Sequence, residues 1–339
     1  LGGGPEHAAV LTNATSAVLS GLTILFLFWT ITHMVRRVLS PKAHLGEQGL
    51  DPVGEVMTRG QGVAILGSGL VGSLVYTFSD SPWFSAVEAE VYAFSSLFTA
   101  VVFWLIFKWE ERSKYERSDR WLILIAYLMG LSIGVHLLNL LCLPAMALVY
   151  CFRRAKTPTL KGSVLSLVAS FALVGLMMYG VVQGVPKLAG KWDMFFVNSL
   201  GLSYNQGVYI YLAILVAVLI WGVYETELAL KDEKHLRSHR FRISIVLSLV
   251  LMGLPLIGDG IVAFLIAGAI GSFFYWYKGF TARAVHTVQM CLVAIAMGFS
   301  SYGVILVRAV ADPPMNENAP ADAFSLRYYL AREQYGSAP

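Results

Sequence analysis

Charged residues are scarce in this chain of 339 residues. Asp, Glu, Lys and Arg make up only 14% of it, against 57% hydrophobic residues and a mean hydropathy of +0.65. A soluble domain carries about 25% charged residues. Because the apolar residues also come in long runs, the composition excludes a cytosolic enzyme, a disordered chain and a basic protein that binds nucleic acid. It predicts an all-α, polytopic membrane protein.

Cysteine and internal repetition are also sparse. The three cysteines lie in apolar runs without the spacing of a metal site, so we expect no disulfide framework, no metal and no cofactor. No tandem repeat of 20 to 50 residues is visible.

The glycines between Gly67 and Gly72 superficially resemble a phosphate-binding loop, but no lysine follows them. Their position inside an apolar run instead predicts close helix packing.

Ten apolar windows predict ten membrane crossings, since a spanning helix needs about 20 mainly apolar residues. The stretch 121–152 is too long for one crossing and predicts two, joined by a tight turn near His136. The windows are 9–38, 61–79, 88–107, 121–135, 137–152, 162–184, 207–224, 243–257, 260–277 and 285–308. The expected fold is a transmembrane helical bundle over 1–310, followed by an extracytoplasmic tail over 311–339.

The basic residues predict the orientation of this bundle. Twenty of the 25 Lys and Arg residues fall in loops that would share one face, and five fall on the other. Cytoplasmic loops are enriched in Lys and Arg. We therefore expect a multi-pass protein of the inner (cytoplasmic) membrane with both ends of the chain outside. The five outer basic residues are Lys187, Lys191, Arg308, Arg327 and Arg332.

The outer segment 79–93 holds the first candidate site. It places Glu88 and Glu90 at or just inside the start of the third span, where an ionised carboxylate is costly unless it is paired or hydrated. These two are the candidate catalytic residues, and Asp80, Trp83 and Tyr92 are candidate substrate contacts. The alternative is that both acids are solvated residues at a helix N-terminus, flanked by interfacial aromatic residues.

Two further segments supply polar groups to the same predicted face. His136 and Asn139, three residues apart, would share a helical face, and a histidine there can donate to a phosphate. Alternatively, the histidine is a structural hydrogen-bonding residue. After the last span, Asn316, Glu317 and Asn318 follow two prolines, and the alternative is a capped helix end with a linker. Arg308 is a further candidate phosphate ligand.

These segments together resemble the domain-of-unknown-function 2723 family, polytopic membrane proteins related to the protein O-mannosyltransferases of the GT-C class. The resemblance runs from about residue 15 to 336, and it is carried by 26–30, 77–93, 131–141 and 313–318. It implies a GT-C-like enzyme without a cofactor. Such an enzyme transfers a mannose-like sugar from a polyprenyl-phosphate donor to a Ser or Thr hydroxyl of an exported acceptor protein, at the periplasmic face.

The resemblance also bears on residue roles and on missing segments. By position and chemistry, Glu90, with Glu88, would assist the acceptor hydroxyl or orient a base, while His136 and Asn139 would hold the donor phosphate. The residues that also match the family pattern are Glu90, Tyr92, His136, Asn139, Asn316 and Glu317. The acidic first outer loop of that family, which is thought to supply the catalytic base, is expected upstream of Leu1, so these residues need not contain the base. A soluble extension is expected after residue 339. If the site is real, Glu90 should lie within about two helix diameters of His136, roughly 20–24 Å.

Two other classes of function stay open. A lipid or solute transporter or flippase would be expected to carry a charge or a broken helix near the bilayer midplane and an internal repeat, whereas here the candidate residues gather at one face and no repeat is visible. A non-catalytic membrane scaffold would need no gathering of polar residues on one face. The partners predicted for the favoured transferase are the sugar donor, the exported acceptor and membrane lipid, with no nucleic acid.

Overall fold

A computed structural model describes residues 7–39, 57–115, 117–154 and 159–336. Leu1 and Pro339, the chain ends whose extracytoplasmic location is predicted above, are not among these described residues. Within them the chain forms helices and no strand, which confirms the polytopic helical class. The helices are α1 Ala8–Leu39, α2 Arg59–Thr77, α3 Asp80–Val87, α4 Val91–Arg112, α5 Arg120–Ile133, α6 Leu143–Arg154, α7 Leu160–Gly175, α8 Gly184–Leu200, α9 Gln206–Lys231, α10 His239–Leu251, α11 Ile261–Trp276, α12 Ala282–Phe299, α13 Gly303–Val310 and α14 Ala323–Leu330.

Seven helices of the described chain are long and apolar enough to cross a membrane. They are Ala8–Leu39, Val91–Arg112, Leu137–Arg154, Leu160–Leu200, Gln206–Lys231, His239–Ile257 and Ala282–Val310, several of which join two of the segments named above. α2 and α3 form an eighth if they are one span, bent by 65°. Each of the ten predicted windows contains a helix, but α5 and α11 are shorter apolar helices. The count of ten crossings and the orientation stay predictions.

Contacts divide the chain into two compact units, residues 1–170 and 171–339. In the first unit α1 packs against α2, α3 and α4. Gly69 and Gly72 permit this approach, since a Cβ at Gly69 would lie 2.5 Å from the Thr32 side chain and one at Gly72 would lie 2.6 Å from Ile31. A Cβ at Gly67 would meet nothing within 4 Å, so the packing prediction was wrong for that glycine.

α4 is the central helix of the first unit. Its buried face comprises Phe98, Val102, Leu105, Ile106 and Trp109. Glu90 immediately precedes the helix and Arg112 ends it, so 22 residues, or about 33 Å, separate the acidic junction from the basic α4–α5 connection. The two groups therefore lie at opposite ends of one helix, as the predicted topology requires.

α9 is the central helix of the second unit and packs against α8, α10 and α12. Its side chain Tyr211 is fully buried and donates a hydrogen bond of 2.6 Å to the Leu251 carbonyl. Glu225, near the other end of α9, is also fully buried. Within the predicted tail, α14 packs against α8, with Phe324 facing Gly190. The predicted domain boundary at residue 310 stays a prediction.

Candidate functional site in the first unit

The junction between α3 and α4 is formed by residues in extended conformation. α2 ends at Thr77, and α3 follows after a sharp bend, with the Ser79 hydroxyl donating back to the Val75 carbonyl at 2.7 Å. Glu88 and Glu90 then adopt extended φ/ψ values, and the Glu90 N–H donates to the Glu88 carbonyl at 2.9 Å. Both acids therefore lie between two helices and not inside either one.

Glu88 and Glu90 are exposed. Neither side chain caps the helix that it borders, and within the described residues neither forms an ion pair or a side-chain hydrogen bond. Asp80, in the first turn of α3, is exposed as well. These carboxylates are therefore not buried within the protein, and both oxygens of each are accessible to a hydrogen-bond donor.

His136 lies next to the start of α4. Its ring is 5.7 Å from that of Tyr92, in the first turn of the helix. Since two residues span at most about 7 Å, Glu90 lies near this ring pair. The His136 Nδ1 accepts the Leu138 N–H at 3.1 Å. In the neutral imidazole this bond places the proton on Nε2, which can donate to an anionic oxygen.

Asn139 points into the helical bundle. It is fully buried, and its amide nitrogen donates to the Ser132 hydroxyl at 3.0 Å while its oxygen accepts from the Cys142 thiol at 3.3 Å. The prediction that His136 and Asn139 share a helical face was wrong. His136 has φ −162° and ψ 140° and precedes the 3₁₀ segment Leu137–Cys142 instead of belonging to it. The geometry therefore gives Asn139 a structural role, and its phosphate contact stays a prediction.

A cavity of about 760 Å³ opens between α1, α2, α3 and α4. This volume lies within the range of about 300–1,000 Å³ typical of small-molecule sites. Among the described residues, apolar and hydroxyl-bearing side chains border the cavity, and no Asp, Glu, Lys or Arg does. Its lining residues are Ala17, Ser20, Gly21, Thr23, Ile24, Tyr76, Thr77, Ser79, Ser81, Pro82, Trp83, Ser85, Ala86, Val87, Tyr92, Ala93 and Ser96. Such a lining suits a neutral polyol or an apolar chain.

The predicted residues and this cavity partly coincide. Trp83 and Tyr92 line it, and Tyr92 also contacts His136, so one aromatic residue joins the cavity to the imidazole. Sequence reasoning missed the wall that α1 contributes. Small and short residues at spacings of three and four along α1, beginning at Ala17, were the available signal.

The predicted residues of the second unit cluster at the end of α13. Arg308 is exposed in its last turn, and the Asn316 amide donates to the Ala309 carbonyl at 3.1 Å, which caps the helix. Glu317 and Asn318 are exposed. This arrangement is the capped helix end predicted above as the alternative to a substrate contact. A cavity shared with Glu90 and His136 stays a prediction, as do the substrate contacts of these residues.

Lys187 and Asp259 form an ion pair in the second unit that sequence reasoning missed. The Lys187 Nζ lies 2.7 Å from the Asp259 carboxylate and donates to the Leu256 carbonyl at 3.2 Å. This hydrogen bond lowers the pKa of Asp259.

Burial, reinforced by the charge of Asp322, raises the pKa of Tyr204. No group of His, Cys, Asp and Glu within the described part of the chain is arranged to hold a metal ion.

One family model matches the chain. Residues 1–159 match the model described as Protein O-mannosyl-transferase TMEM260 N-terminal domain. The match covers just under half of the chain and includes α1 to α6, and therefore the cavity, the α3–α4 junction and His136. These residues are similar to the N-terminal domain of a protein O-mannosyltransferase family. No curated protein and no solved structure matches the chain.

Proposed function

We propose that the full-length protein is a GT-C-type glycosyltransferase of the inner membrane. It transfers a mannose-like sugar from a polyprenyl-phosphate donor to a Ser or Thr hydroxyl of an exported protein, at the extracytoplasmic face. One juxtaposition carries the proposal: a neutral cavity, two exposed carboxylates and an imidazole lie around the start of α4. This region falls inside the segment similar to a protein O-mannosyltransferase domain.

The chemistry assigns a role to each of these groups. The acceptor oxygen attacks the anomeric carbon of the sugar and passes its proton to a carboxylate, which is Glu90, Glu88 or a base that these two residues orient. The bond between the anomeric carbon and the phosphate oxygen breaks, and the phosphate leaves with the electron pair. The His136 Nε2–H stabilises the charge that develops on the leaving phosphate.

The cavity holds the neutral parts of the donor. Its lining carries no charged side chain, so it suits the sugar ring or the first isoprenoid units better than the phosphate. The rings of Trp83 and Tyr92 offer apolar faces to a pyranose, and hydroxyls such as those of Ser20 and Ser85 offer hydrogen bonds. The phosphate would lie at the rim, beside His136.

A pair of glycine substitutions tests the cavity. Among the described residues, a Cβ at Gly21 or at Gly67 would meet nothing within 4 Å, so a side chain can begin at both positions without a clash. Only Gly21 lines the cavity. With labelled mannosyl polyprenyl phosphate and the purified full-length protein, Gly21→Leu should weaken donor binding about tenfold or more, which corresponds to about 1.4 kcal/mol. Gly67→Leu should bind like the unmodified protein.

Two outcomes would count against this assignment. Unchanged donor affinity in Gly21→Leu would show that the donor does not occupy the cavity. Equal losses in both leucine variants would point to a general disturbance of the helices. Thermal unfolding of each variant identifies such a disturbance independently of binding.

A further inference from the structure

The connection between α4 and α5 carries four exposed basic side chains. Arg112 is the last residue of α4, Arg120 is the first residue of α5, and Lys114 and Arg117 lie between them. Tight turns shorten the connection, because the Tyr115 N–H donates to the Arg112 carbonyl at 2.9 Å and the Arg120 N–H donates to the Arg117 carbonyl at 3.3 Å. The four charges are therefore concentrated at one end of the helix pair.

The carboxylates described near this end pair with other basic side chains. They form the pairs Glu110–Arg37 at 2.5 Å, Glu111–Lys108 at 3.1 Å, Glu111–His33 at 3.1 Å and Asp119–Arg154 at 4.0 Å. Glu116 lies outside the described residues. Within the described ones, none of the four exposed basic side chains forms an ion pair. Their charge is therefore available to an anionic ligand.

Two of the four guanidinium groups lie over one aromatic ring. The central carbons of Arg112 and Arg120 are 5.8 and 5.4 Å from the centre of the Trp121 ring, so they are at most about 11 Å apart. Two like charges within this distance repel each other, and an anion bound close to both would lower the repulsion. Arginine is suited to this task, because its planar fork of donors matches the oxygens of a phosphate.

The position of the cluster indicates which anion binds. It lies at the end of α4, a helix long and apolar enough to cross a membrane, and it is surrounded by aromatic residues. The rings of Trp109 and Tyr150 stack at 5.2 Å, and the guanidinium carbon of Arg154 lies 5.9 and 5.6 Å from their centres. Tryptophan and tyrosine at the end of a span mark the level of the lipid headgroups.

We propose that Arg112 and Arg120, supported by Lys114 and Arg117, bind the phosphate of an anionic phospholipid such as phosphatidylglycerol. Clusters of four or more basic residues next to a membrane helix are typical of anionic-lipid sites. The site lies at the opposite end of α4 from Glu90 and is independent of the proposed transfer reaction. A zwitterionic lipid carries the same phosphate but lacks the net charge that four cations select.

Lipid titration of the full-length protein in detergent, followed by native mass spectrometry, tests the site. The double variant R112Q/R120Q should bind phosphatidylglycerol roughly 10- to 30-fold more weakly than the unmodified protein. The matched control is R59Q/K278Q, which removes two exposed basic residues from separate segments, neither of which forms an ion pair within the described chain. This control should change phosphatidylglycerol affinity less than twofold, and binding of phosphatidylcholine should be the same in all three proteins.

Several results would overturn the proposal. These are unchanged phosphatidylglycerol affinity in R112Q/R120Q, an equal loss in the control, or displacement of the lipid by millimolar inorganic phosphate, which would indicate a site for a soluble anion. If R112Q/R120Q does not fold, R112K/R120K carries the test, since it keeps both charges and loses only the forked donors. Its affinity should fall severalfold, and an unchanged value would contradict the arginine–phosphate contact.

Discussion

Glu225 should be a main determinant of the stability of the second unit. It is fully buried in α9, and three donors surround its carboxylate. The Trp221 indole N–H donates to Oε1 at 2.8 Å, the His235 Nε2 lies 2.6 Å from Oε2, and the Arg240 guanidinium lies 3.0 Å from Oε1. Through these contacts the Glu225 carboxylate links α9 to the segment that follows it and to the start of α10. Glu225→Gln keeps the shape and removes the charge.

The expected loss follows from the exposure of each partner. Arg240 is 69% exposed, so its ion pair contributes at most about 1 kcal/mol. The Trp221 bond changes from a charged to a neutral acceptor, a loss of about 1 kcal/mol. The glutamine N–H₂ also faces a donor, which leaves one partially buried group unsatisfied at about 1–3 kcal/mol. The total is about 2–5 kcal/mol, which overlaps the roughly 3–5 kcal/mol typical of breaking a buried pair.

Thermal unfolding of the purified full-length protein in detergent, followed by intrinsic fluorescence, measures this loss. Glu227→Gln is the matched control, because Glu227 lies two residues further along the same helix and is exposed. We expect Glu225→Gln to lower the unfolding midpoint by roughly 5–15 °C, and the control to change stability by less than about 0.5 kcal/mol. Equal midpoints in the two variants would refute the reasoning.

Two further predictions concern single contacts. His136→Ala should weaken binding of the polyprenyl-phosphate donor about tenfold, and adding Gly21→Leu to this variant should weaken it further. Unchanged donor affinity of His136→Ala in a binding titration would show that the imidazole is not part of the site. In Lys187→Gln the pKa of Asp259 should rise toward its ordinary value of about 3.9. Because the pKa of Asp259 is lowered in the folded protein, the stability that the pair contributes is present near neutral pH and is lost as the pH falls through that lowered pKa. Carbon-13 NMR of the labelled carboxyl group tests the second prediction, and an identical titration in both proteins would contradict it.

The sequence predicted where the helices lie, but it did not predict the residues at which they end or bend. Long apolar runs identify spans because a helix is the structure that satisfies its own backbone in a membrane. The face shared by His136 and Asn139 was predicted by assuming that one helix runs through both. α5 ends at Ile133, and His136 takes an extended conformation instead. Three-residue spacing alone does not show on which side of a helix boundary a residue lies.

The site was predictable only where its residues are close in the chain. The segment 79–93 supplies both the acids and much of the cavity wall, so the sequence pointed to it directly. The wall from α1 was not recognised, because small residues such as Ala17 and Gly21 at helical spacing predict helix packing equally well. Lys187 and Asp259 are far apart in sequence, and no local pattern links them.

Transfer of labelled mannose tests the central claim most directly. The purified full-length protein is mixed with mannosyl polyprenyl phosphate and a peptide rich in Ser and Thr, and the label on the peptide is followed over time. We expect transfer by the unmodified protein and by Glu227→Gln, and a loss of about 100-fold or more in Glu90→Gln with the donor affinity retained. Transfer by Glu90→Gln at the unmodified rate would contradict the assigned role. Donor binding with no transfer by the unmodified protein, together with movement of the lipid across a bilayer, would establish a flippase instead.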